Sequence, residues 1–264
     1  MKSKKVMAIV PVYNEARNLH RTLNPLTDMM KKGKIDNIIA INDGSTDNSQ
    51  DKLEAYLENP NFINIVLPKN YGKAYAFYRA AKVCYQMGAD IILSLDADLL
   101  DISEEQIDML IGPIIEDNNI NMVIGTVKDC SPYVSGQRTI RTQALDILFD
   151  SNKQDKDWLY LFSGIKINKK GEEKLISRVG YGLEWILNDF IEKEFLCMTD
   201  FSPHSKKIFK HIEIVETWFI AGIPSFSINR DRLDLKRSDR YTHEFEGIIE
   251  KLKRYFGIKE RGFC

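Results

Sequence analysis

The sequence predicts an α/β protein with a mostly parallel central sheet and helices on both faces. Three observations carry this. From Lys5 to about Val127, short apolar, β-branched runs alternate with longer segments of helical spacing. The runs are apolar almost throughout, as strands covered on both faces are, rather than alternating apolar with polar. And 264 residues with 44% hydrophobic and 28% charged side chains have the balance of a globular body with a sizeable core. One domain, 1–264, is expected, with a regular half to residue 128 and a less regular half from 129.

In order along the chain, VMAIVPVY from Val6 reads as strand one. A helix follows from Glu15 to Met30, with Leu19, Leu23 and Leu26 near one face. IDNIIAIND is strand two, Thr46 to Leu57 a short helix and INIVLP strand three. Ala74 to Met87 is apolar at helical spacing, and ADIILSLDAD is strand four. Asp101 or Ser103 can cap the next helix, because SEEQ puts acid in its first turn and the stripe Ile107, Leu110, Ile111, Ile114 follows. NMVIGTV is strand five. Beyond Asp129, pieces such as SGQRTIRTQALDILF and YGLEWILNDFIEK are separated by Gly, Pro and polar residues, and mixed strands and helices added to the same sheet are expected there. The chain ends in a basic amphipathic segment, IIEKLKRYFGIK.

Parallel sheets bind ligands beyond the carboxyl ends of their strands. Three predicted strand ends carry unusual residues: PVYNE, NDGSTD and DAD. In Asp96-Ala97-Asp98 the carboxylates are two residues apart and can face the same way. Two such acids in a cleft repel unless a cation lies between them, and hard oxygen ligands suit Mg²⁺ or Mn²⁺. In NDGSTD, Gly44 permits a tight turn and Ser45 or Thr46 can cap the next helix, but neither task explains Asp43, which can accept hydrogen bonds from a base N–H. Tyr13 can stack on a ring, and Glu15 can bond a ribose or cap its helix. NYGKAYAFYRA sets Lys73 where a helix begins, a place that favours phosphate. There is no GxGxxG after strand one and no GxxxxGK[ST] anywhere, which sets aside dinucleotide oxidoreductases and P-loop NTPases.

The 37 basic and 38 acidic residues leave a formal charge of -1, so no global field favours nucleic acid. Cys84, Cys130, Cys197 and Cys264 form no CxxC pair, which suggests neither zinc nor disulfides and fits the reduced cytoplasm. The N-terminal apolar run is cut by Pro11 and is a poor signal peptide. TWFIAGIPSFSI, from Thr217, is too short to span a bilayer and contains Pro224.

PVYNE, NDGSTDNS, NYGKAYAFYRA and DAD, in that order and spacing, resemble the family 2 glycosyltransferases with the GT-A fold. The likeness is close from Lys5 to Val127 and looser to about Glu192. It implies a Rossmann-like sheet with a smaller mixed acceptor-side region, and a nucleotide-sugar donor held by Pro11, Tyr13, Glu15, Asp43, Lys73 and Asp96. It implies Asp98 as the Mg²⁺ or Mn²⁺ ligand, with a late histidine, His243 ahead of His204 and His211, as a further one. An inverting member would need a base, Glu184 or Asp189, although Leu183, Ile186 and Leu187 make an apolar stripe that leaves both as plausible wet-side residues. A retaining member, like the phosphoglycerate-accepting synthases, would need none. Arg138 and Arg141, beside the SGQ turn, would then hold an acidic or phosphate-bearing acceptor.

The sugar and the oligomeric state stay open, with a UDP-sugar favoured over a GDP-sugar. Acceptors in view are a polyprenyl phosphate, a phosphorylated small acid or a surface glycan, and the terminal basic helix makes peripheral contact at the inner face of a membrane an option. The alternatives are a sugar nucleotidyltransferase, which PVYNEARN fits poorly for want of a Gly-rich basic loop, and a non-catalytic nucleotide-sugar-binding module.

Overall fold

The computed structural model describes residues 4–100, 102–125, 135–154, 156, 159, 163–175 and 187, and the backbone of three strands at 196–199, 208–209 and 227–228. Its first half is the expected succession: β1 (Val6–Val12), α1 (Leu19–Lys31), β2 (Asn37–Asn42), α2 (Ser49–Glu54), β3 (Phe62–Val66), α3 (Lys73–Gln86), β4 (Ile91–Ser94), β5 (Leu99–Leu100), α4 (Glu104–Glu116) and β6 (Met122–Gly125). β7 (Arg138–Arg141), α5 (Asp146–Phe149), β8 (Ile165–Ile167), β9 (Glu173–Leu175), β10 (Leu196–Thr199), β11 (Ile208–Phe209) and β12 (Ser227–Ile228) follow.

Eight strands form the main sheet in the order β11-β10-β6-β7-β4-β1-β2-β3. β1 runs parallel to β2 and β4, and β2 to β3. The sequence did not show β7, which lies between β4 and β6 and is antiparallel to both. Its four residues, RTIR, are half charged, so local periodicity gave no strand there.

Alternation along β1 splits the core. Val6, Ala8, Val10 and Val12 pack with α1 and α4, while Met7 and Ile9 pack with α3. Each fully buried Leu, Ile or Phe contributes about 1.5–3 kcal/mol, so these two layers hold the sheet and fix which rim each strand end reaches. Ser103, not an earlier residue, caps α4. Its Oγ accepts from the Gln106 N–H at 3.2 Å, and its own N–H donates to Gln106 Oε1 at 2.7 Å.

Two helices are shorter than their periodicity suggests, for one reason. Asn14 adopts φ 57 and its Oδ1 accepts the Thr46 N–H at 2.7 Å and the Asp47 N–H at 3.3 Å. The loops after β1 and β2 therefore bond to each other before either helix begins. Ser45 and Thr46 do not cap α2: Ser45 Oγ accepts from the Asn14 N–H, and Asp47 Oδ1 takes the Ser49 N–H at 3.0 Å.

Candidate functional site

The carboxyl ends of β1, β2 and β4 converge with the start of α3 and the segment before β7. Beyond β4 the burial alternates. Leu95, Ala97 and Leu99 enter the core under α1 and α4, while Asp96 and Asp98 between them stay half-buried. Asp96 thereby turns to the α3 side, where Lys73 Nζ lies 2.7 Å from its Oδ1. Gln137 Nε2 donates to its Oδ2 at 3.2 Å. The backbone is anchored as well, since Leu95 N–H donates to Ile9 O at 3.0 Å and Thr22 Oγ1 to Asp96 O at 3.3 Å. Thr22 was legible as the one polar residue within the apolar stripe of α1, and sequence reasoning passed over it.

Asp43 has a task the sequence did not reveal. It is 3% exposed, and its two oxygens accept the Tyr71 N–H at 2.7 Å and the Gly72 N–H at 2.9 Å. It thus braces the loop that delivers Lys73. Gly44 lets this happen: it has φ +66, and a Cβ there would collide with the backbone of Lys69 and Asn70. Tyr13, next after β1, is 39% exposed, and Glu15 is buried, with its carbonyl accepting the Asn18 and Leu19 N–H groups at 3.0 Å. Pro11 is half-buried within β1, paired with Ile41.

Neither arginine stands free beside the SGQ segment: both are bonded to main chain. Arg138 is on the correct rim but 1% exposed, donating through Nε to Ser135 O at 2.7 Å. Arg141 pairs with Ile91 at the opposite end of β4, and its Nη2 donates to Ile114 O at 2.7 Å and Asp117 O at 3.1 Å. Closeness in sequence misled, because an extended strand of four residues carries its ends about 10 Å apart, to different rims. Glu184, Asp189 and His243 lie outside the described residues. The late chain does return to this rim: Ser227 and Ile228 pair with Leu100 and Leu99, just after Asp98.

Two half-buried carboxylates two residues apart are the ligand type of a hard cation that keeps waters and shares substrate oxygens. Among the described residues no group of three or more His, Cys, Asp or Glu is placed to hold a metal ion, so the carboxylates of Asp96 and Asp98 are the hard oxygen donors this rim offers.

Residues 7–174, well over half of the chain, match the family model described as Glycosyl transferase family 2. This chain belongs to that family. The family match sets aside the nucleotidyltransferase alternative. Among curated relatives, the undecaprenyl-phosphate 4-deoxy-4-formamido-L-arabinose transferase of Serratia proteamaculans (strain 568) is 38% identical over 105 residues, 39% of this chain and 31% of that protein. The match thus spans about a third of that relative's length. Glucosyl-3-phosphoglycerate synthase from Mycobacterium tuberculosis is similar in structure. Its complex with Mn²⁺, UDP and glucosyl-3-phosphoglycerate gives a TM-score of 0.62, and its complex with Mg²⁺ and UDP gives 0.63. Both are 15% identical and cover 98% of this chain and 82% of theirs, a likeness that establishes the GT-A fold of this family 2 chain.

Proposed function

We propose that the chain is a metal-dependent glycosyltransferase that moves a sugar from a nucleoside diphosphate, with UDP favoured, to a phosphate-bearing acceptor. The observation that carries this reading is the convergence of Asp96, Lys73 and the braced Asp43 loop on one rim beside Asp98. The names of both relatives support the acceptor class, since one contains a polyprenyl phosphate and the other a phosphoglycerate.

In this reading Tyr13 stacks on the base, and Pro11, Glu15 and Asp43 shape the nucleoside pocket. Lys73, at the N-terminus of α3, meets the diphosphate with its ammonium and with the positive end of the helix. Asp98, with Asp96 acting directly or through water, would hold a Mg²⁺ or Mn²⁺ ion, which supplies positive charge to a departing diphosphate. Should the transfer invert, Glu184 or Asp189 takes the acceptor hydroxyl proton. His243 remains a proposed further ligand. No helix among the described residues is long and apolar enough to cross a membrane, so we place any contact with a lipid acceptor at the membrane surface.

A thermal-shift panel of UDP- and GDP-sugars, with and without Mn²⁺, tests the proposal. A donor at about a hundredfold excess over its Kd adds about 2.7 kcal/mol, roughly 5–10 °C in Tm for a domain of this size. One donor should shift Tm only with the metal. If no donor shifts it under either condition, the reading fails.

A further inference from the structure

The segment Ser135-Gly136-Gln137 has no part in the donor reading so far, yet it is closely fitted into the rim. Gln137 is 1% exposed and Ser135 3%. The Gln137 N–H reaches Ser135 Oγ at 3.3 Å, and its carbonyl accepts the Gly125 N–H at 2.7 Å, which ties the segment to β6. Arg138, buried directly behind, donates to Ser135 O at 2.7 Å. From this fixed backbone the Gln137 amide points at Asp96 Oδ2 while Lys73 takes Oδ1. Gly136 lies over the pair so closely that a Cβ there would collide with both Asp96 oxygens and stand 2.6 Å from Lys73 Nζ.

We propose that Gln137 is a positioning residue of the donor site, holding the Asp96 carboxylate in one rotamer against the pull of Lys73, with Gly136 supplying the clearance. The inference rests on the donor-site reading above. A lysine alone is a poor guide for a carboxylate, because its ammonium is a point charge on a flexible stem with no preferred plane. An amide N–H fixed by a buried, hydrogen-bonded backbone is directional, and a hydrogen bond to a charged acceptor is among the stronger ones. With both, one oxygen carries the charge contact and the other sets the plane. The lone pairs that remain then face the same way in every molecule. A neutral amide does this without adding charge to a rim that must attract both a cation and a diphosphate.

Gln137→Met keeps the length of the side chain and removes the donor. Binding of UDP, and of GDP in parallel, is measured by calorimetry with Mn²⁺ present, alongside Tm without nucleotide. The wild type should bind one nucleotide, and Gln137→Met should bind it about tenfold or more weakly, as expected for a lost hydrogen bond to a charged group, while still folding. The Mn²⁺ spectrum of its ternary complex should also broaden as Asp96 samples more than one rotamer. Equal affinity and an unchanged spectrum would overturn the role of Gln137 and leave the donor site standing. A wild type that binds neither nucleotide would overturn the donor site itself. If Gln137→Met does not fold, the side-chain amide resonance of Gln137 in the wild type decides. It moves on adding the bound nucleotide with Mg²⁺ if the amide serves Asp96, and stays in place if it only packs the segment.

Discussion

The two rims of the sheet carry similar charges and use them differently. At the amino-end rim, charged groups satisfy main chain. Asp36 accepts the Val6 N–H and Asp90 the Lys5 N–H, each at 2.7 Å, and Lys5 Nζ donates to Met87 O at 2.9 Å. Arg141 and Lys4 together close the C-terminal carbonyls of α4. Burial holds both cations below their ordinary pKa, and for Lys4 the nearby Arg141 adds to the shift. At the carboxyl-end rim Asp43 also braces main chain, but Asp96 pairs with the side chains of Lys73 and Gln137. A backbone partner cannot leave without unfolding something. A flexible side-chain partner such as Lys73 can swing away for a ligand. What a charged residue can do in this fold therefore follows from what neutralises it, and it is at the carboxyl-end rim that Asp96 is paired in this exchangeable way with Lys73.

Substitutions separate the rims. The largest effect is expected from Asp98→Ala, which should lower sugar transfer about a hundredfold or more, as loss of a preorganised charge stabiliser does, while Tm without ligand stays within about 2 °C. A large fall in Tm would place Asp98 with the structural acids instead. Next comes Gly44→Ala. Its φ and the collision with the Lys69 backbone should cost about 2–4 kcal/mol in urea unfolding, and weaken donor binding because the Asp43 brace shifts.

Arg141→Met probes the other rim. Losing its hydrogen bonds to the carbonyls of Ile114, Asp117 and Ile120 should cost about 2 kcal/mol in stability. Donor affinity, measured well below Tm, should be unchanged. Weakened donor binding at full folding would dissolve the distinction between the rims.

The fold of the first half was legible because its signals are local. Strands of continuous Val, Ile and Leu and helices with apolar stripes announce themselves, and SEEQ announced the cap of α4. Asp43 stood out in the sequence because turn and capping roles were assigned to Gly44 and the hydroxyls of NDGSTD, although Ser45 and Thr46 do not cap α2 and the bracing role of Asp43 depends on the distant Tyr71 and Gly72. What stayed hidden depends on pairing across the chain. β7 owes its place to β4 and β6, and nothing within RTIR shows that one arginine will be buried and the other sent to the far rim. Asn14 reaching across to Thr46 shortened two helices that periodicity alone extended. Gln137 was missed because a neutral amide outside any regular element has no charge or motif to mark it; the adjacent glycine was a local hint.

The smallest effect is expected midway between the rims, on α3. Glu173, in β9, accepts from Tyr78 Oη at 2.9 Å and from Lys82 Nζ at 2.5 Å, and so fastens the β8–β9 hairpin to the helix. Burial alone would raise its carboxyl above the ordinary 4.5, but the hydrogen bonds from Lys82 and Tyr78 outweigh that and hold it lower. A carboxyl lower in the folded than in the unfolded state contributes stability above the unfolded value and loses it as pH falls through the folded one. The contribution should therefore be intact at neutral pH and fade below about pH 4.5. The pair is partly exposed, so the loss should stay under about 1 kcal/mol. Glu173→Gln should flatten this acid limb of the urea-unfolding profile, with little change in donor affinity at pH 7. If donor affinity falls as well, the hairpin is coupled to Lys73 through α3, and the distinction between fastening and functional charges would have to extend along the helix.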